Sequence, residues 1–206
     1  MGELARKKSI ARGPPVLRAA LISLSESRTL RSLAEKSPLG QRVSGRFVAG
    51  TLIEDALRVA AQLNQAGLSA SLDNLGENVS TAEEARRSGQ LYSRLLSEIR
   101  ARGLNANVSL KLTHMGIDID PELARENVAA LVRQAASIAP SNFVRVDMEG
   151  SAYTERTLDL VRQLHRLEGN ENSVGAVIQS YLRRSQADVE TLLGDRIRIR
   201  LCKGAY

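Results

Sequence analysis

The sequence contains few of the residues that bind metals, form disulfides or stack on nucleic-acid bases. It has one cysteine, Cys202, and two histidines, and its only aromatic residues are four tyrosines and two phenylalanines. A single cysteine forms neither an internal disulfide nor a thiolate cluster, and two histidines make a poor metal site. No apolar segment approaches the roughly 20 residues that span a bilayer. These absences argue against a disulfide scaffold, a structural metal and a transmembrane segment.

The charge of the chain is positive but dispersed. Lysine and arginine number 29 against 23 aspartates and glutamates, which gives a formal net charge of +6. Dispersed charge with few aromatics favours a small anionic ligand or cofactor, and we expect no nucleic-acid partner. With 206 residues, 43% of them hydrophobic, the chain can bury a sizeable core, and a cytoplasmic setting is the default expectation.

Strand-like runs alternate with amphipathic helical stretches after a helical lead over residues 1–45. Strands separated by helices of about ten residues or more cannot form hairpins, so we expect them to pair in parallel through right-handed crossovers. This pattern predicts a partial β/α barrel over residues 46–206. Six strand candidates begin near Arg46, Ala70, Asn107, Phe143, Val174 and Arg196.

Helix starts are marked by residues whose side chains cap free backbone N–H groups. The predicted capping pairs are Thr51 with Glu54, Ser80 with Glu83 and Ser185 with Asp188. Asp120 followed by Pro121 predicts a further helix start, and another helix is expected to begin near Ser151.

The strands alternate apolar and polar residues, which favours a closed barrel over an open sheet covered by helices on both faces. Val144 and Val146, for example, alternate with Arg145 and Asp147. If the apolar face packs under the helices, the polar face points into the barrel, whose C-terminal rim carries the chemistry in this fold. The predicted inward set at that rim is Asp73 or Glu77, Lys111, Asp147, Gln179 and Arg200.

Two interpretations of this inward set remain open from the residues alone. It forms a ligand site, or it forms mutually satisfied ion pairs, Lys111 with Asp147 and Arg200 with a carboxylate. The usual phosphate-binding loops and the GxSxG nucleophile turn are missing from the sequence. Lys111 as a Schiff-base residue would indicate a lyase or aldolase, although Asp147 nearby favours the charged ammonium.

Six segments carry a family resemblance by their order and spacing. They are RFVAGTLIEDAL, LDNLGENV, VSLKLTHMG, VRVDMEGS, GAVIQSYLRRS and RIRLCKGAY, and they cover Arg46 to Tyr206. Together they resemble the FAD-dependent proline dehydrogenases of the monofunctional bacterial type. The resemblance implies a distorted (β/α)8 TIM barrel, of which about six β/α units are present after the N-terminal helices.

The same resemblance implies an activity and its partners. FAD would bind at the C-terminal ends of the strands, L-proline would be oxidised to 1-pyrroline-5-carboxylate, and electrons would pass to a membrane quinone. A 1-pyrroline-5-carboxylate dehydrogenase partner and a peripheral position at the inner membrane are further implications. Arg200 would lie beside the reactive edge of the flavin, where a fixed cation stabilises growing negative charge, and Asp147 would share the catalytic role.

The resemblance also assigns the substrate and cofactor contacts. Substrate binding is implied for Lys111, Tyr206 and Glu77, although the arginine of the last helix that pairs with Glu77 in the family is absent from this chain. Cofactor binding is implied for Met148, Gln179, Arg200, Lys203, Gly204 and Ala205. Gly204 has the clearest physical reason, because a residue without Cβ lets the backbone approach a flat ring closely.

The predicted number of strands leaves alternatives to a complete enzyme. Barrels of this kind typically need about 250 residues and eight units, so we expect the chain to be truncated after the sixth strand. A flavin-free barrel lyase or aldolase that uses Lys111, and an inactive fragment that acts through association, therefore stand beside the proline dehydrogenase hypothesis.

Overall fold

The computed structural model describes residues 48–76, 79–137 and 142–204. The predicted helical lead over residues 1–45 and the start of the first strand candidate, near Arg46, lie outside these ranges and stay predictions. Residues 48–50 form no strand. The compact unit described below begins at Leu52.

Helices and strands alternate along the described residues. The helices are α1 Ile53–Gln65, α2 Ala82–Ala101, α3 Leu112–Met115, α4 Pro121–Ala136, α5 Thr154–His165 and α6 Ser185–Gly194. The strands are β1 Ala70–Asp73, β2 Ala106–Leu110, β3 Val144–Val146, β4 Val174–Gln179 and β5 Arg198–Cys202. All five pair in parallel, in sequence order, and the sheet curls into half of a barrel. The predicted parallel β/α architecture is confirmed, whereas the predicted number of barrel units stays a prediction.

The last strand begins two residues later than the sequence predicts. Arg196 has a φ angle of 59°, and its N–H donates to the Leu193 carbonyl at 3.0 Å, so it belongs to the turn that ends α6. The arginines that β5 itself contributes are therefore Arg198 and Arg200.

Local capping rules locate two helix starts well. The Asp120 side chain caps α4 by accepting a backbone N–H at 2.9 Å, and Pro121 opens the helix, as predicted. α2 begins one residue later than predicted, because Thr81 rather than Ser80 forms the capping box, with Glu84 as its partner. Both residues that could cap this helix are hydroxyl residues followed three positions later by a glutamate, so local sequence does not separate them.

Two other predicted caps are wrong. α1 begins without a side-chain cap, so Thr51 does not have the predicted role. The Ser185 hydroxyl donates to the Gln179 carbonyl at 2.5 Å instead of capping α6. The start of α5 also differs from the prediction, because this helix begins at Thr154 rather than near Ser151.

None of the helices in the described ranges is both long and apolar enough to cross a membrane.

The apolar face of the sheet forms the core with the helices. Six alternating side chains of β2, β3 and β4 are at most 1% exposed, namely Val108, Leu110, Val144, Val146, Ala176 and Ile178. Burial of a side chain of the larger type contributes roughly 1.5–3 kcal/mol. The predicted alternation is thus confirmed, and it leaves the polar side chains to line the opposite face.

An aromatic ring fills the base of that opposite face. The Phe143 ring centroid lies 5.1 Å from the guanidinium carbon of Arg145 and 4.3 Å from that of Arg198, within cation–π range. Gly175 lies against this ring, because a Cβ added there would be 2.7 Å from Phe143 Cζ and would overlap the Arg198 carbonyl oxygen. A glycine is therefore needed where β4 meets both the ring and β5.

We predict that Gly175→Ala lowers the free energy of unfolding by about 1–3 kcal/mol, because the added methyl group forces the β4–β5 backbone or the Phe143 ring to shift. Urea unfolding followed by circular dichroism measures the change. Gly194→Ala is the matched control, since a Cβ on Gly194 meets no atom within 4 Å. Equal urea midpoints for the two variants would contradict the packing argument.

Candidate active site

Three polar side chains from three strands meet near the carboxyl end of the sheet. Arg200 Nη2 donates to Asp147 Oδ1 at 2.6 Å, and Ser109 Oγ donates to the same oxygen at 2.5 Å. Arg200 Nη2 also lies 3.1 Å from Ser109 Oγ. Asp147 is held in place because its backbone N–H donates to the Leu110 carbonyl at 2.8 Å, which extends the β2–β3 ladder by one residue. We call these residues the Ser109–Asp147–Arg200 cluster.

The cluster is neither fully buried nor fully solvated. The side chains of Arg200 and Asp147 are 37% and 18% exposed. Arg200 thus pairs with a carboxylate, as one of the two sequence interpretations predicts, but both groups keep an exposed side. The ion pair that the described residues show for Asp147 is with Arg200, not with Lys111. An ion pair of this kind can still bind a ligand at its exposed side.

Asp73 and Lys111 lie in the electrostatic field of the cluster. Lys111 follows β2 directly and is partly buried. The pKa of Asp73 is raised above its ordinary value, chiefly by partial burial of its carboxyl group. A hydrogen bond of 2.9 Å from the Tyr92 hydroxyl lowers that pKa, Asp147 raises it, and Lys111 and Arg200 lower it. Asp147, Lys111 and Arg200 therefore all lie close enough to Asp73 to influence its ionisation.

Three arginines, Arg145, Arg198 and Arg200, lie together on this face of the described strands. Burial lowers the pKa of Arg145, and repulsion from Arg200 and Arg198 lowers it further. An anion bound at this face would relieve that repulsion, so the electrostatics favour a negatively charged ligand.

Gln179 and Gly204 lie close together where β4 and β5 end, and we call these two residues the shelf. Gln179 is 5% exposed, and its Nε2 donates to the Met148 carbonyl at 3.1 Å, whereas its buried Oε1 has no hydrogen-bond partner among the described residues. Gly204 has a φ angle of 95°, and a Cβ there would overlap the Tyr181 ring and lie 3.1 Å from Gln179 Cβ. From the sequence, Gly204 is expected to approach a flat ring, and the ring that the structure shows there is that of Tyr181.

The remaining predicted cofactor and substrate residues differ in what the structure shows of them. The Met148 side chain is 6% exposed and belongs to the core, so only its carbonyl faces Gln179. Lys203 is exposed, and its carbonyl accepts the Tyr181 N–H at 3.2 Å. Glu77, Ala205 and Tyr206 lie outside the described residues, and their roles stay predictions.

Sequence reasoning missed two contributors to the site. Ser109 lies on the predicted polar face, two residues before Lys111, and this alternation is a signal that could have identified it. Tyr92 comes from the middle of α2, where it is fully buried beneath Asp73 and its ring lies 6.3 Å from that of His114. No local pattern distinguishes such a tyrosine from a core residue, because its partner is 19 residues away in the sequence.

The curled parallel sheet, with helices on its apolar face and charges at its carboxyl edge, has the architecture of half of a β/α barrel, the fold class whose ligand sites lie at that edge. Comparison with known families is more specific, because the family model described as proline dehydrogenase matches residues 56–206. The chain belongs to the proline dehydrogenase family. The family resemblance read from the six segments is thereby confirmed.

Curated relatives give the extent of the similarity. The chain is 35% identical over 193 residues to proline dehydrogenase 1 of Bacillus subtilis strain 168, which covers 93% of this chain and 61% of that protein. It is 31% identical over 192 residues to the proline dehydrogenase of Deinococcus radiodurans, covering 92% and 60%. The chain thus spans about three-fifths of the length of these relatives.

Solved structures agree on the fold. The proline utilization A protein of Bdellovibrio bacteriovorus, inactivated by N-propargylglycine, superposes with a TM-score of 0.72 at 22% identity, over 96% of this chain and 23% of that chain. The corresponding protein of Corynebacterium freiburgense gives a TM-score of 0.70 at 23% identity, over 95% and 21%. At this identity the two similarities show the fold alone.

We predict that Tyr92→Phe raises the pKa of Asp73 further, because it removes the hydrogen bond that favours the ionised carboxylate. Carbon-13 NMR of the side-chain carboxyl groups as a function of pH measures this pKa, and Asp73→Asn assigns the signal. Tyr181→Phe is the control, since Tyr181 is 45% exposed and makes no hydrogen bond with Asp73.

Tyr92→Phe should also lower the free energy of unfolding by an amount that depends on pH. A pKa that is raised in the folded state means that ionised Asp73 disfavours folding. This destabilisation is complete above the folded-state pKa and is lost as the pH falls through that pKa. The loss of stability in Tyr92→Phe should therefore be larger at neutral pH than in acid, where Asp73 is protonated in both states. A loss that does not depend on pH would contradict the link between Tyr92 and Asp73.

Proposed function

We propose that this chain forms the catalytic part of an FAD-dependent proline dehydrogenase that oxidises L-proline to 1-pyrroline-5-carboxylate. A membrane quinone as electron acceptor and a 1-pyrroline-5-carboxylate dehydrogenase that consumes the product are parts of the proposal. The observation that carries it is the Ser109–Asp147–Arg200 cluster, which joins a fixed cation and a carboxylate on a face that also carries Arg145 and Arg198. Membership of the proline dehydrogenase family supports it.

The shelf beside the cluster fits a flavin ring in its chemistry. The buried Oε1 of Gln179 offers an acceptor for a ring N–H, and Gly204 lets the backbone lie close to a flat ring, as it does against the ring of Tyr181. Arg200 supplies the cation that a flavin needs as it gains negative charge. The residues that would hold the cofactor are Gln179, Arg200, Lys203, Gly204, Ala205 and Met148, whose carbonyl orients Gln179.

The residues of this chain have distinct roles in the proposed reaction. A bound flavin supplies the two-electron acceptor for the C–H bond that proline loses. Arg200 stabilises the negative charge that develops beside it, and the contacts from Asp147 and Ser109 hold its guanidinium in one orientation. Lys111 attracts the proline carboxylate, whereas the exposed side of Asp147 accepts a hydrogen bond from the proline amine.

The field at the rim argues against Lys111 as a Schiff-base nucleophile. Such a lysine must be neutral to attack a carbonyl group. Lys111 and Asp147 both lie one residue beyond the last pair of the β2–β3 ladder, and a nearby carboxylate favours the charged ammonium. No observation on the described residues favours the lyase or aldolase hypothesis. The borohydride experiment described next tests it.

The colour of the purified complete protein and its reaction with substrate test the proposal. We expect a yellow protein whose flavin absorbance is bleached by L-proline without oxygen. Colourless protein that borohydride traps with a carbonyl substrate on Lys111 would indicate the lyase instead. Colourless and unreactive protein that self-associates would favour a non-catalytic role.

We predict that Arg200→Met slows anaerobic flavin reduction by L-proline at least tenfold, since one preorganised donor to a developing negative charge is typically worth about 3 kcal/mol. Stopped-flow absorbance measures the rate. Arg133→Met, on the exposed side of α4, is the matched control and should reduce at the unaltered rate. Equal rates in the two variants would remove Arg200 from the proposed mechanism.

We also predict that Lys111→Ala weakens the binding of L-proline and of tetrahydro-2-furoate, in which oxygen replaces the ring nitrogen. Both molecules carry the carboxylate that Lys111 attracts, so both dissociation constants should rise. Pyrrolidine lacks the carboxylate and serves as the control. A parallel loss of pyrrolidine affinity would indicate damage to the whole pocket rather than loss of the carboxylate contact.

A further inference from the structure

Two loops at the carboxyl edge of the sheet are joined by a buried hydrogen-bonded pair. Thr113, in α3 within the connection from β2 to α4, donates its hydroxyl to Glu149 Oε2 at 2.5 Å and its backbone N–H to Glu149 Oε1 at 3.1 Å. Glu149 lies in the loop after β3. The two residues are 3% and 8% exposed, so water competes little for these hydrogen bonds.

A second contact joins the same two loops farther from the strands. The Tyr153 hydroxyl, just before α5, donates to Asp118 Oδ2 at 2.8 Å, at the surface. The loops are therefore tied at two levels, and the buried Thr113–Glu149 pair is the one closer to the site.

The buried pair stands just beyond the two charges assigned to the substrate. The β2–β3 ladder ends at the pair Leu110 and Val146, and one residue beyond this pair lie Lys111 and Asp147. Thr113 and Glu149 each follow two residues after these charges. Each charged residue is thus fixed on both sides, by the ladder before it and by the buried pair after it.

The local structure around Lys111 makes the position of Thr113 consequential. Lys111 has an extended backbone and directly precedes α3, a helix of four residues. Such a short helix has little stability of its own, because its first turn contains backbone N–H groups without helical partners. Glu149, which lies in the loop after β3, accepts one of these N–H groups.

We propose that the Thr113–Glu149 pair is a positioning clamp that fixes the spacing between Lys111 and Asp147, and thereby sets the preference of the site for a zwitterionic ring amino acid. This inference deepens the proposed function. Proline carries its carboxylate and its amine at a fixed separation, and the site meets them with one cation and one carboxylate. A ligand that carries only one of the two charges does not sense the spacing.

The test compares two ligands in the flavin-loaded complete protein. Thr113→Val removes the hydroxyl donor at nearly constant volume. We expect the affinity for L-proline, from the concentration dependence of anaerobic flavin reduction, to fall about fivefold or more, with a smaller change of the rate at saturation. The affinity for tetrahydro-2-furoate, measured by calorimetry, should change less than about twofold, because this ligand lacks the amine that meets Asp147.

Three further variants separate the clamp from a general effect on folding. Thr157→Val is the matched control, since Thr157 is fully buried on α5 and its hydroxyl has no hydrogen-bond partner among the described residues. It should leave both affinities unaltered. Thr113→Ser keeps the hydroxyl and should restore the discrimination of the wild-type protein. Glu149→Gln keeps an oxygen acceptor and should give a partial loss, even if Thr113→Val lowers the yield of folded protein.

The possible results distinguish the clamp from the proposed function. If wild-type protein neither oxidises proline nor binds the two ligands, the proposed function is wrong. If wild-type protein does both, but folded Thr113→Val and Glu149→Gln keep the wild-type ratio of the two affinities, the clamp is wrong. An equal loss for both ligands is what a merely structural role predicts, and it would also overturn the clamp.

Discussion

The contact of Arg200 with Asp147 and Ser109 depends on the curl of the sheet. Neighbouring strands lie about 4.8 Å apart, so in a flat sheet β5 would be about 10 Å from β3 and about 14 Å from β2. Arg200 nevertheless reaches Asp147 at 2.6 Å and Ser109 at 3.1 Å, across the whole of β4. An arginine side chain is too short to cover the longer of these gaps alone. The sheet must bend toward its polar face, and Gly175 on β4 leaves room for the bend.

That bend also determines what kind of ligand the polar face can bind. Curling brings Arg145, Arg198 and Arg200 toward one another, and the pKa of Arg145 is lowered chiefly by burial and further by repulsion from the other two arginines. Asp147 offsets part of this charge, and removal of one partner of such a half-buried pair leaves the other uncompensated. Among the described residues, the face therefore combines the Arg200–Asp147 ion pair with two further arginines, Arg145 and Arg198. This combination suits the proposed ligands, since a flavin gains negative charge on reduction and proline carries a carboxylate.

The features predictable from the sequence are those with a short period or a local cause. Alternation within the strands identifies the buried face, because side chains of a strand point to opposite sides, and it places Asp147 and Arg200 together on the other face. The Asp120 cap follows from two adjacent residues. The Tyr92 hydrogen bond does not, because it joins α2 to a strand end 19 residues earlier. The pairing of Thr113 with Glu149, 36 residues apart, likewise requires the β2–β3 register.

The two halves of the site are built by different physical means. Around Lys111 and Asp147, the loops are tied by hydrogen bonds to a buried carboxylate, which hold charged groups at a set distance. Around Gln179 and Gly204, close packing against the Tyr181 ring excludes any side chain at Gly204, and the buried Oε1 of Gln179 has no hydrogen-bond partner in the part of the chain that the structure describes. Charges must be fixed in distance to discriminate between small polar ligands, whereas a flat ring needs an unobstructed surface and few polar contacts. This division matches the proposal that proline binds at the first half and the flavin at the second.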